Sequence, residues 1–208
     1  MIALAMFVGA YVLGSVPAGL IAGQVVRGVD VREFGSGKTG FTNSLRTLGP
    51  GVAFAVLAFD IAKGAAPVLA GRAFSDDPWA AALGGVGAVA GHTWPLFAAF
   101  RGGRGVATTF GAYLAIAPAA ALLSIVASGA ILAATRYVSV MSMVGTAFGL
   151  AVMVLWVVNG WLAAEYLVFG VAVTLSVEVN HLGNLRRVRS GTEPRMGQGG
   201  APRAQHGA

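Results

Sequence analysis

The chain has 208 residues, of which 56% are hydrophobic and only 11% are charged, and it carries a formal net charge of +6. Charged residues make up about a quarter of an ordinary soluble domain, so a soluble fold of this composition could not cover its surface with polar groups. This excludes a cytosolic enzyme, a secreted disulfide scaffold and a disordered regulator. The 31 glycines suit helices that pack closely in lipid. The composition therefore predicts an all-α polytopic membrane protein.

Apolar stretches of about 17–25 residues are candidate membrane spans. Three such stretches occupy the first half of the chain, at residues 2–26, 50–70 and 79–100. A fourth apolar stretch, residues 106–177, is long enough for four crossings. We expect it to break at polar or helix-ending residues, near Pro118–Ser124, Arg136 and Asn159–Gly160. The pattern predicts about seven transmembrane helices.

The basic residues between and after these stretches predict the orientation, because cytoplasmic loops carry an excess of Lys and Arg. The basic segments are residues 27–49, residues 101–104 and the tail after residue 180, so all three are expected on the cytoplasmic side. The N-terminus is then outside and the C-terminus cytoplasmic. We expect a membrane-embedded domain at residues 1–190 and a disordered basic tail at residues 191–208. Basic loops of this kind indicate membrane lipids as partners and no nucleic acid.

The first basic segment contains a glycine-rich loop, Gly35-Ser36-Gly37-Lys38-Thr39-Gly40, which is followed by Asn43 and Arg46. Backbone amides in glycine turns bind phosphate well, and the loop adds hydroxyls and cations. It differs from a nucleotide-binding P-loop, because Arg32 stands where that motif needs its first glycine and no strand precedes it. The loop therefore predicts a phosphate site without nucleotide hydrolysis.

Two further polar clusters lie at the ends of apolar stretches on the same predicted side of the membrane. The second cluster follows His92 and consists of two arginines among glycines: Arg101, Gly102, Gly103, Arg104 and Gly105. It predicts a second anion-binding loop, although a tight loop with topology-determining arginines would have the same composition. The third cluster contains His181, Asn184 and Glu193. A lone histidine is typical of helix packing, but three polar clusters on one face favour a functional site.

Asp60 and Lys63 are ionisable residues within an apolar stretch, three positions apart and so on one face of a helix. Such residues are costly in lipid and are candidates for functional support, as is His92, whereas a mutual ion pair would be purely structural. No metal site is predicted, since the chain has no cysteine and its histidines have no carboxylate at ligand spacing. The acyltransferase pattern HxxxxD and the serine-hydrolase pattern GxSxG are also absent.

The order and spacing of these motifs resemble the bacterial acyl-phosphate:glycerol-3-phosphate acyltransferase (PlsY) family. The resemblance extends through most of the chain, in the segments GSVP (14–17), GSGKTGFTNSLRTLG (35–49), DIAKGAAPV (60–68), GHTWPLF (91–97), RGGRGVATTFG (101–111), HLGN (181–184) and GTEPR (191–195). It implies a seven-span enzyme of the bacterial inner membrane with its active site on the cytoplasmic side. The implied reaction moves a fatty acyl group from acyl phosphate to the 1-hydroxyl of sn-glycerol 3-phosphate. The products are lysophosphatidic acid and inorganic phosphate, in the first acylation step of phospholipid synthesis.

The resemblance also implies roles for individual residues. It implies catalytic residues at Ser36, Arg46, His181 and Asn184, and further site residues at Arg104, Ser142 and Glu193. With the two glycine-rich loops, the expected substrate- or phosphate-binding set is Gly35, Gly37, Lys38, Gly40, Asn43, Arg101, Gly102, Gly103, Arg104, Gly105, Ser142 and Glu193. No cofactor is implied, and the enzyme that makes acyl phosphate is an implied partner.

The chain departs from the family pattern at three polar positions. Lys38 stands in place of the usual asparagine, Asn180 in place of an arginine, and Arg104 in place of a lysine. Lys38 adds a cation near the first loop, and Asn180 removes one. The phosphate contacts are therefore expected to be divided among the cationic side chains differently from the family pattern. Arg104 keeps the charge but changes the geometry of the donors.

The implied chemistry needs no covalent nucleophile or metal, because an acyl phosphate is already activated. The protein has to hold two phosphorylated substrates and bring a hydroxyl close to the acyl carbonyl. His181 suits general acid–base work and equally a phosphate anchor, and the substrate phosphate itself could take the proton. Two other classes fit parts of the pattern. One is a transporter of phosphorylated solutes, against which the one-sided polar clusters and the lack of an inverted repeat argue; the other is a membrane scaffold.

Overall fold

The computed structural model describes residues 1–198, and this part of the chain forms α-helices and no β-strand. Its nine α-helices are α1 (Ile2–Gly14), α2 (Ala18–Arg27), α3 (Phe41–Leu48), α4 (Pro50–Phe74), α5 (Pro78–Thr93), α6 (Val106–Ile116), α7 (Pro118–Thr135), α8 (Val138–Val158) and α9 (Tyr166–Arg189). Short 3-10 turns lie at Val31–Glu33 and Leu96–Ala98. The all-α fold class that the sequence predicts is confirmed.

Five helical segments are long and apolar enough to cross a membrane. They are α1 with α2 taken together, α4, α7, α8 and α9. Large apolar side chains on these segments are exposed, including Val25, Phe54 and Val126, and a surface of this kind suits lipid and not water. Helices α5 and α6 are shorter, with 16 and 11 residues. The chain is a multi-pass membrane protein.

The helix boundaries follow largely from local sequence. Proline stands in the first turn of α4, α5 and α7, where its missing N–H is not needed. Arg136 ends α7 in the left-handed conformation, with φ 61°, and Gly160, with φ 73°, follows the end of α8. The three breaks predicted within residues 106–177 are confirmed, the first of them at Ala117, just before the predicted range.

Two other boundaries differ from the prediction. The sequence predicts one span at residues 2–26, and Ile2–Arg27 is one candidate span in the structure, but its helix is interrupted between α1 and α2, where Pro17 precedes α2. The sequence also predicts an apolar span at residues 79–100, but α5 ends at Thr93. Pro95 explains this end, because the residue before a proline is disfavoured in the helical conformation, and Trp94 accordingly has φ −124° and ψ 68°.

Glycines allow the helices to approach one another closely. Gly14 of α1 lies against the backbone of Ala88 in α5, and Gly64 of α4 lies against the backbone of Thr108 in α6. A side-chain carbon at either glycine would overlap the carbonyl of the facing helix. These contacts hold α1, α4, α5 and α6 in a close arrangement, against which α7, α8 and α9 pack.

The chain continues beyond α9 along the turn between α7 and α8. The backbone N–H of Met196 donates to the Arg136 carbonyl over 2.8 Å, and the guanidinium of Arg195 lies 5.7 Å from the centre of the Tyr137 ring. The packed part of the chain therefore extends past residue 190, where the sequence predicts the tail to begin. Residues 199–208, the rest of the predicted tail, lie outside the described residues.

Candidate functional site

The loop at residues 35–40 is a compact turn that leads into α3. Gly35 and Gly37 have φ 50° and 68°, a left-handed conformation that favours glycine. The Gly37 N–H donates to the Phe34 carbonyl over 2.9 Å and closes the turn. Gly40 is the N-cap of α3, and no side chain caps this helix. The first amides of α3 are therefore free of a side-chain acceptor, which suits an anion such as phosphate.

Asn43 holds this loop from beneath and is only 1% exposed. Its Nδ2 donates to the Val31 carbonyl over 2.7 Å and to the Lys38 carbonyl over 2.9 Å. Its Oδ1 accepts a hydrogen bond from the Ser36 N–H over 3.0 Å. Both amide hydrogens are thereby used, which makes Asn43 a support of the loop and of the half-buried Ser36.

Arg46 stands in the last turn of α3 and is half-buried. Burial lowers the pKa of its guanidinium from the ordinary value, and the negative charge of Glu193 acts in the opposite direction. An arginine that is partly removed from water and faces a carboxylate is well placed to accept a second, mobile anion.

The loop at residues 101–105 runs back along the end of α5. The Gly102 N–H donates to the Thr93 carbonyl over 3.3 Å, and the Gly103 N–H donates to the His92 carbonyl over 3.1 Å. A side-chain carbon at Gly102 would overlap the His92 carbonyl, so only glycine fits this close approach.

The two arginines of this loop differ in environment. Arg101 is exposed, whereas Arg104 is half-buried and its Nε has no hydrogen-bond partner within residues 1–198. Burial lowers the pKa of Arg104 well below its ordinary value, to about 10; the charge of Glu193 opposes this shift, and the positive charges of Arg187 and Arg46 add to it. Gly105, with φ 80°, follows as the N-cap of α6, which also lacks a side-chain cap. Arg104 is therefore a half-buried cation whose Nε donor is unused within the described residues.

Glu193 receives three hydrogen bonds and is 8% exposed. Its Oε1 accepts from Ser139 Oγ over 2.8 Å and from Asn184 Nδ2 over 2.6 Å, and its Oε2 accepts from Arg187 Nε over 2.8 Å. Burial raises the pKa of Glu193, but these hydrogen bonds outweigh burial and hold the pKa below its ordinary value. Glu193 is thus an ionised carboxylate that joins the segment after α9 to α8 and α9.

His181 is almost completely buried in α9, at 1% exposed. Its Nδ1 lies 2.7 Å from the Val177 carbonyl. A carbonyl only accepts hydrogen bonds, so Nδ1 carries a hydrogen, and Nε2 of a neutral ring is then an acceptor. The charges of Arg104, Glu193 and Lys38 all act on this ring.

These interactions bring the three polar clusters of the sequence into one site. Arg46 from the first cluster and Glu193 from the third both act on Arg104 in the second. Lys38 of the first cluster and Arg104 of the second both act on His181 in the third. The result is a predominantly cationic site at one end of the bundle. Within residues 1–198 no group of three or more His, Cys, Asp or Glu side chains could hold a metal ion.

The candidate support residues lie together beneath this site. Lys63 Nζ and His92 Nδ1 lie 2.8 Å and 3.3 Å from the same oxygen of Asp60, Oδ1. The mutual ion pair of Asp60 and Lys63 that the sequence allowed is therefore present, and His92 joins it.

Two of the contacts around Glu193 could not be derived from the sequence. Ser139, and not Ser142, donates to Glu193, while the Ser142 hydroxyl donates to the Val138 carbonyl of its own helix over 2.8 Å. Arg187 is one of three arginines at the end of α9, and no local signal distinguishes it from its neighbours. The partner of Glu193 depends on how the segment after α9 folds back, which is a tertiary property.

Comparisons with known proteins agree on one family. A family model described as glycerol-3-phosphate acyltransferase matches residues 4–191. A glycerol-3-phosphate acyltransferase of Synechococcus sp. (strain CC9902) is 40% identical over 190 residues, which cover 91% of this chain and 93% of the relative. A glycerol-3-phosphate acyltransferase of Thermus thermophilus is 43% identical over 194 residues, 91% of this chain and 92% of that protein.

Two solved structures have a closely similar fold. They are crystal structures of PlsY (YgiH), an integral membrane glycerol 3-phosphate acyltransferase, in a glycerol 3-phosphate form and a lysophosphatidic acid form. Each superposes with a TM-score of 0.83 at 33% sequence identity, covering 94% of this chain and 96% or 95% of the neighbour.

Proposed function

Since the chain belongs to the glycerol-3-phosphate acyltransferase family, we propose that it transfers a fatty acyl group from acyl phosphate to the 1-hydroxyl of sn-glycerol 3-phosphate. The products are lysophosphatidic acid and inorganic phosphate. The observation that carries the proposal is the mutual influence of Arg46, Arg104, His181 and Glu193, which come from segments far apart in sequence. A largely cationic site at the edge of a membrane domain suits a reaction between two phosphorylated substrates, one of which is a lipid.

The proposed topology has seven crossings, with the N-terminus outside and the C-terminus and active site on the cytoplasmic side of the bacterial inner membrane. The basic segments at residues 27–49 and 101–104 and the segment after α9 support it, since basic loops favour the cytoplasm. The interactions between Arg46, Arg104 and Glu193 support the same arrangement, because they require those three segments to share one end of the bundle. The enzyme that makes acyl phosphate would deliver it at this side.

Phosphate binding is assigned to the two glycine-rich loops and their cations. Arg46 and Arg104 supply forked donors that neutralise phosphate oxygens, and the uncapped N-terminus of α3 supplies backbone amides. Lys38 adds a cation on the side of His181. The acyl chain of the donor lies among the apolar helices, where lipid and protein are equally apolar.

The bond changes are a substitution at the acyl carbon. The 1-hydroxyl oxygen attacks the carbonyl carbon, the negative charge moves to the carbonyl oxygen, and the bond from this carbon to the phosphate oxygen then breaks. Asn184 uses one Nδ2 hydrogen on Glu193 and has another for the developing oxyanion, and the Ser36 hydroxyl is a second donor. Glu193 orients Asn184 and does not react.

The hydroxyl proton leaves with the phosphate. His181 has its Nδ1 hydrogen committed to Val177, so Nε2 of the neutral ring accepts a hydrogen bond from the attacking hydroxyl and aligns it. The phosphate group carries two negative charges in the acyl phosphate, gains a third with the electron pair of the broken C–O bond, and takes the proton, so it leaves as hydrogen phosphate with two negative charges. Charge and atoms balance without a metal, a cofactor or a covalent enzyme intermediate.

The test is turnover by purified protein in detergent or nanodiscs, with palmitoyl phosphate and glycerol 3-phosphate as substrates. We expect lysophosphatidic acid and phosphate in equal amounts, no product from palmitoyl-CoA, and loss of turnover in Arg46→Ala and His181→Ala. Arg27→Ala, an exposed arginine at the end of α2, is the matched control and keeps full activity. Product from palmitoyl-CoA alone would overturn the donor, and flux of glycerol 3-phosphate into proteoliposomes without acyl transfer would favour a transporter.

A further inference from the structure

Asp60, Lys63 and His92 form a buried polar cluster under the loop that carries Arg104. Their exposed fractions are 1%, 2% and 5%. Lys63 Nζ and His92 Nδ1 both lie near Asp60 Oδ1, at 2.8 Å and 3.3 Å. Burying ionisable groups in a membrane protein costs free energy, so their presence here points to a structural or functional role. The proposed reaction gives them no contact with a substrate.

One end of the cluster stabilises the interruption between α1 and α2. Lys63 Nζ donates to the Val16 carbonyl over 3.0 Å. An interrupted span leaves backbone carbonyls without their helical partners, and in lipid such groups must be satisfied by protein. Lys63 therefore has a structural use, and Asp60 is the counter-charge that this lysine needs.

The other end of the cluster contacts the glycine loop through His92. Nδ1 of His92 lies 3.3 Å from the Asp60 carboxylate, within ion-pair distance, and this contact favours one orientation of the ring. The His92 carbonyl accepts from the Gly103 N–H over 3.1 Å. The ring also lies directly against Gly103, since a side-chain carbon at Gly103 would overlap Nε2. Backbone and ring of His92 thus both contact the residue that precedes Arg104.

We propose that His92, held by Asp60, is a positioning residue for Arg104; this inference rests on the proposed function. Gly102, Gly103 and Gly105 have no side chains with which to fix their own backbone. Arg104 Nε has no partner within the described residues, so the direction of the guanidinium depends on where the loop backbone stands. The ring of His92 fixes that backbone from below. Displacing a substrate-binding group by about 1 Å can cost on the order of 100-fold in rate.

A double-mutant cycle with Arg104 tests the proposal. We expect His92→Ala to lower kcat/KM by about 10- to 100-fold in the wild-type background and by less than about twofold in Arg104→Ala. If His92 acts only through the Arg104 guanidinium, Arg104→Ala already removes the contribution of His92, and a second substitution at His92 has little left to remove. Equal losses in both backgrounds would overturn the proposal, because a general effect on folding acts whether or not Arg104 is present.

Tyr113→Phe is the matched control for this cycle. Tyr113 is buried in α6 at 2% exposed, and the end of its ring lies near Gly149 of α8. It packs edge-on against Phe169 of α9, with ring centres 5.2 Å apart. Any effect of Tyr113→Phe is expected to be the same with Arg104 and with Arg104→Ala.

The contact with Gly103 supplies a second, independent measurement. Gly103→Ala is expected to lower kcat/KM, because its methyl group overlaps the His92 ring. In the presence of His92→Ala the overlap is gone, so the double variant should be no less active than His92→Ala alone. A further loss in the double variant would contradict the ring contact. If His92→Ala does not fold, His92→Asn replaces it in both experiments, since asparagine keeps a donor toward Asp60 and removes the ring.

Failure of the proposed function is distinguishable from failure of this inference. If the wild-type protein does not turn over palmitoyl phosphate, the proposed function fails, and both cycles are then run on glycerol 3-phosphate binding by isothermal titration calorimetry. A loss of affinity in His92→Ala that disappears in Arg104→Ala supports the positioning role. An equal loss in both backgrounds overturns it, and so does an unchanged affinity.

Discussion

Arg32 Nη1 donates a hydrogen bond to the Ala98 carbonyl over 3.0 Å, and this bond joins the turn at Val31–Glu33 to the turn at Leu96–Ala98, which precede the two glycine-rich loops of the site. The same guanidinium contacts Asp30 through Nε and Nη2, with a shortest distance of 2.7 Å to Oδ2. The Asp30 carboxylate also accepts from the Arg32 N–H over 2.8 Å and so caps the turn at Val31–Glu33. The Asp30 carboxylate therefore holds the Arg32 guanidinium in the orientation from which Nη1 donates to the Ala98 carbonyl.

We expect Arg32→Ala to loosen both turns and the glycine-rich loops that follow them. The variant should lose about 1–3 kcal/mol of folding free energy, since a charged donor is removed, and with it about 2–10 °C of apparent Tm. It should also raise KM for the phosphorylated substrates while turnover at saturation changes little. Scanning fluorimetry in detergent and initial rates of phosphate release measure these effects. Arg27→Ala is the control, and equal effects of the two variants would show that only the overall charge matters.

The helix boundaries that the sequence predicts correctly depend on short-range signals. Pro118 starts α7 and Gly160 follows α8, and both residues restrict the backbone whatever surrounds them. The end of α5 at Thr93 was harder to predict, because residues 94–100 are as apolar as a span. They form a loop in which Phe100 takes φ 59° and its N–H donates to the Pro95 carbonyl over 2.9 Å. The hydrogen bond from Arg32 to this loop is a tertiary contact that composition does not encode.

The site was predictable as a set of segments and less so as a set of contacts. Glycine loops and cations at the ends of apolar stretches indicate anion binding from residue type alone. The task of an individual side chain depends on its neighbours in space. Asn43 supports the loop with all its amide hydrogens, and Ser139 donates to Glu193. No sequence spacing predicts either of these two sets of hydrogen bonds.

Glu193→Gln is expected to reduce activity more than stability. Glutamine keeps the shape of the side chain but loses the charge that orders Asn184 and Arg187. Since charge-assisted hydrogen bonds are worth about 1.5–3 kcal/mol, kcat should fall about 10-fold or more as the Asn184 amide loses its orientation. Rates of lysophosphatidic acid formation measure this. Glu33→Gln changes an exposed carboxylate and is the control; a Glu193→Gln enzyme with full kcat would contradict the orienting role.

The same carboxylate predicts the acid sensitivity of the fold. Hydrogen bonds hold the pKa of Glu193 below its ordinary value of 4.5. A carboxyl group with a lowered pKa stabilises the folded state above its ordinary pKa, and this stabilisation is lost as the pH falls through the lowered value. The difference in Tm between wild type and Glu193→Gln should therefore be constant above pH 4.5 and shrink below it. A Tm difference that grows as the pH falls would contradict a lowered pKa of Glu193 in the folded state.

The two serines of α8 should respond differently to alanine. The Ser139 hydroxyl donates to the Glu193 carboxylate, so Ser139→Ala should lower Tm by about 2–6 °C. The Ser142 hydroxyl donates to a carbonyl of its own helix, a bond that contributes little to helix stability. Ser142→Ala should leave Tm unchanged and, if the hydroxyl turns to a phosphate when substrate binds, raise KM several-fold. Each variant is the control for the other, and identical profiles would contradict the distinction.

Arg104 should tolerate lysine at neutral pH but not at alkaline pH. Burial lowers the pKa of Arg104 well below its ordinary value, to about 10, so the arginine stays charged below about pH 9. The same burial would lower the pKa of a lysine below its ordinary value of about 10.4, so a lysine would lose its charge at a lower pH than the arginine. A basic group loses its charge as the pH rises through its pKa, and a neutral amine no longer attracts phosphate. We therefore expect kcat/KM of Arg104→Lys to fall with rising pH earlier than that of wild type, which stays level to about pH 9; both profiles are measured as phosphate release corrected for spontaneous hydrolysis. Parallel pH profiles would mean that Arg104 is not buried as a charge in the free enzyme.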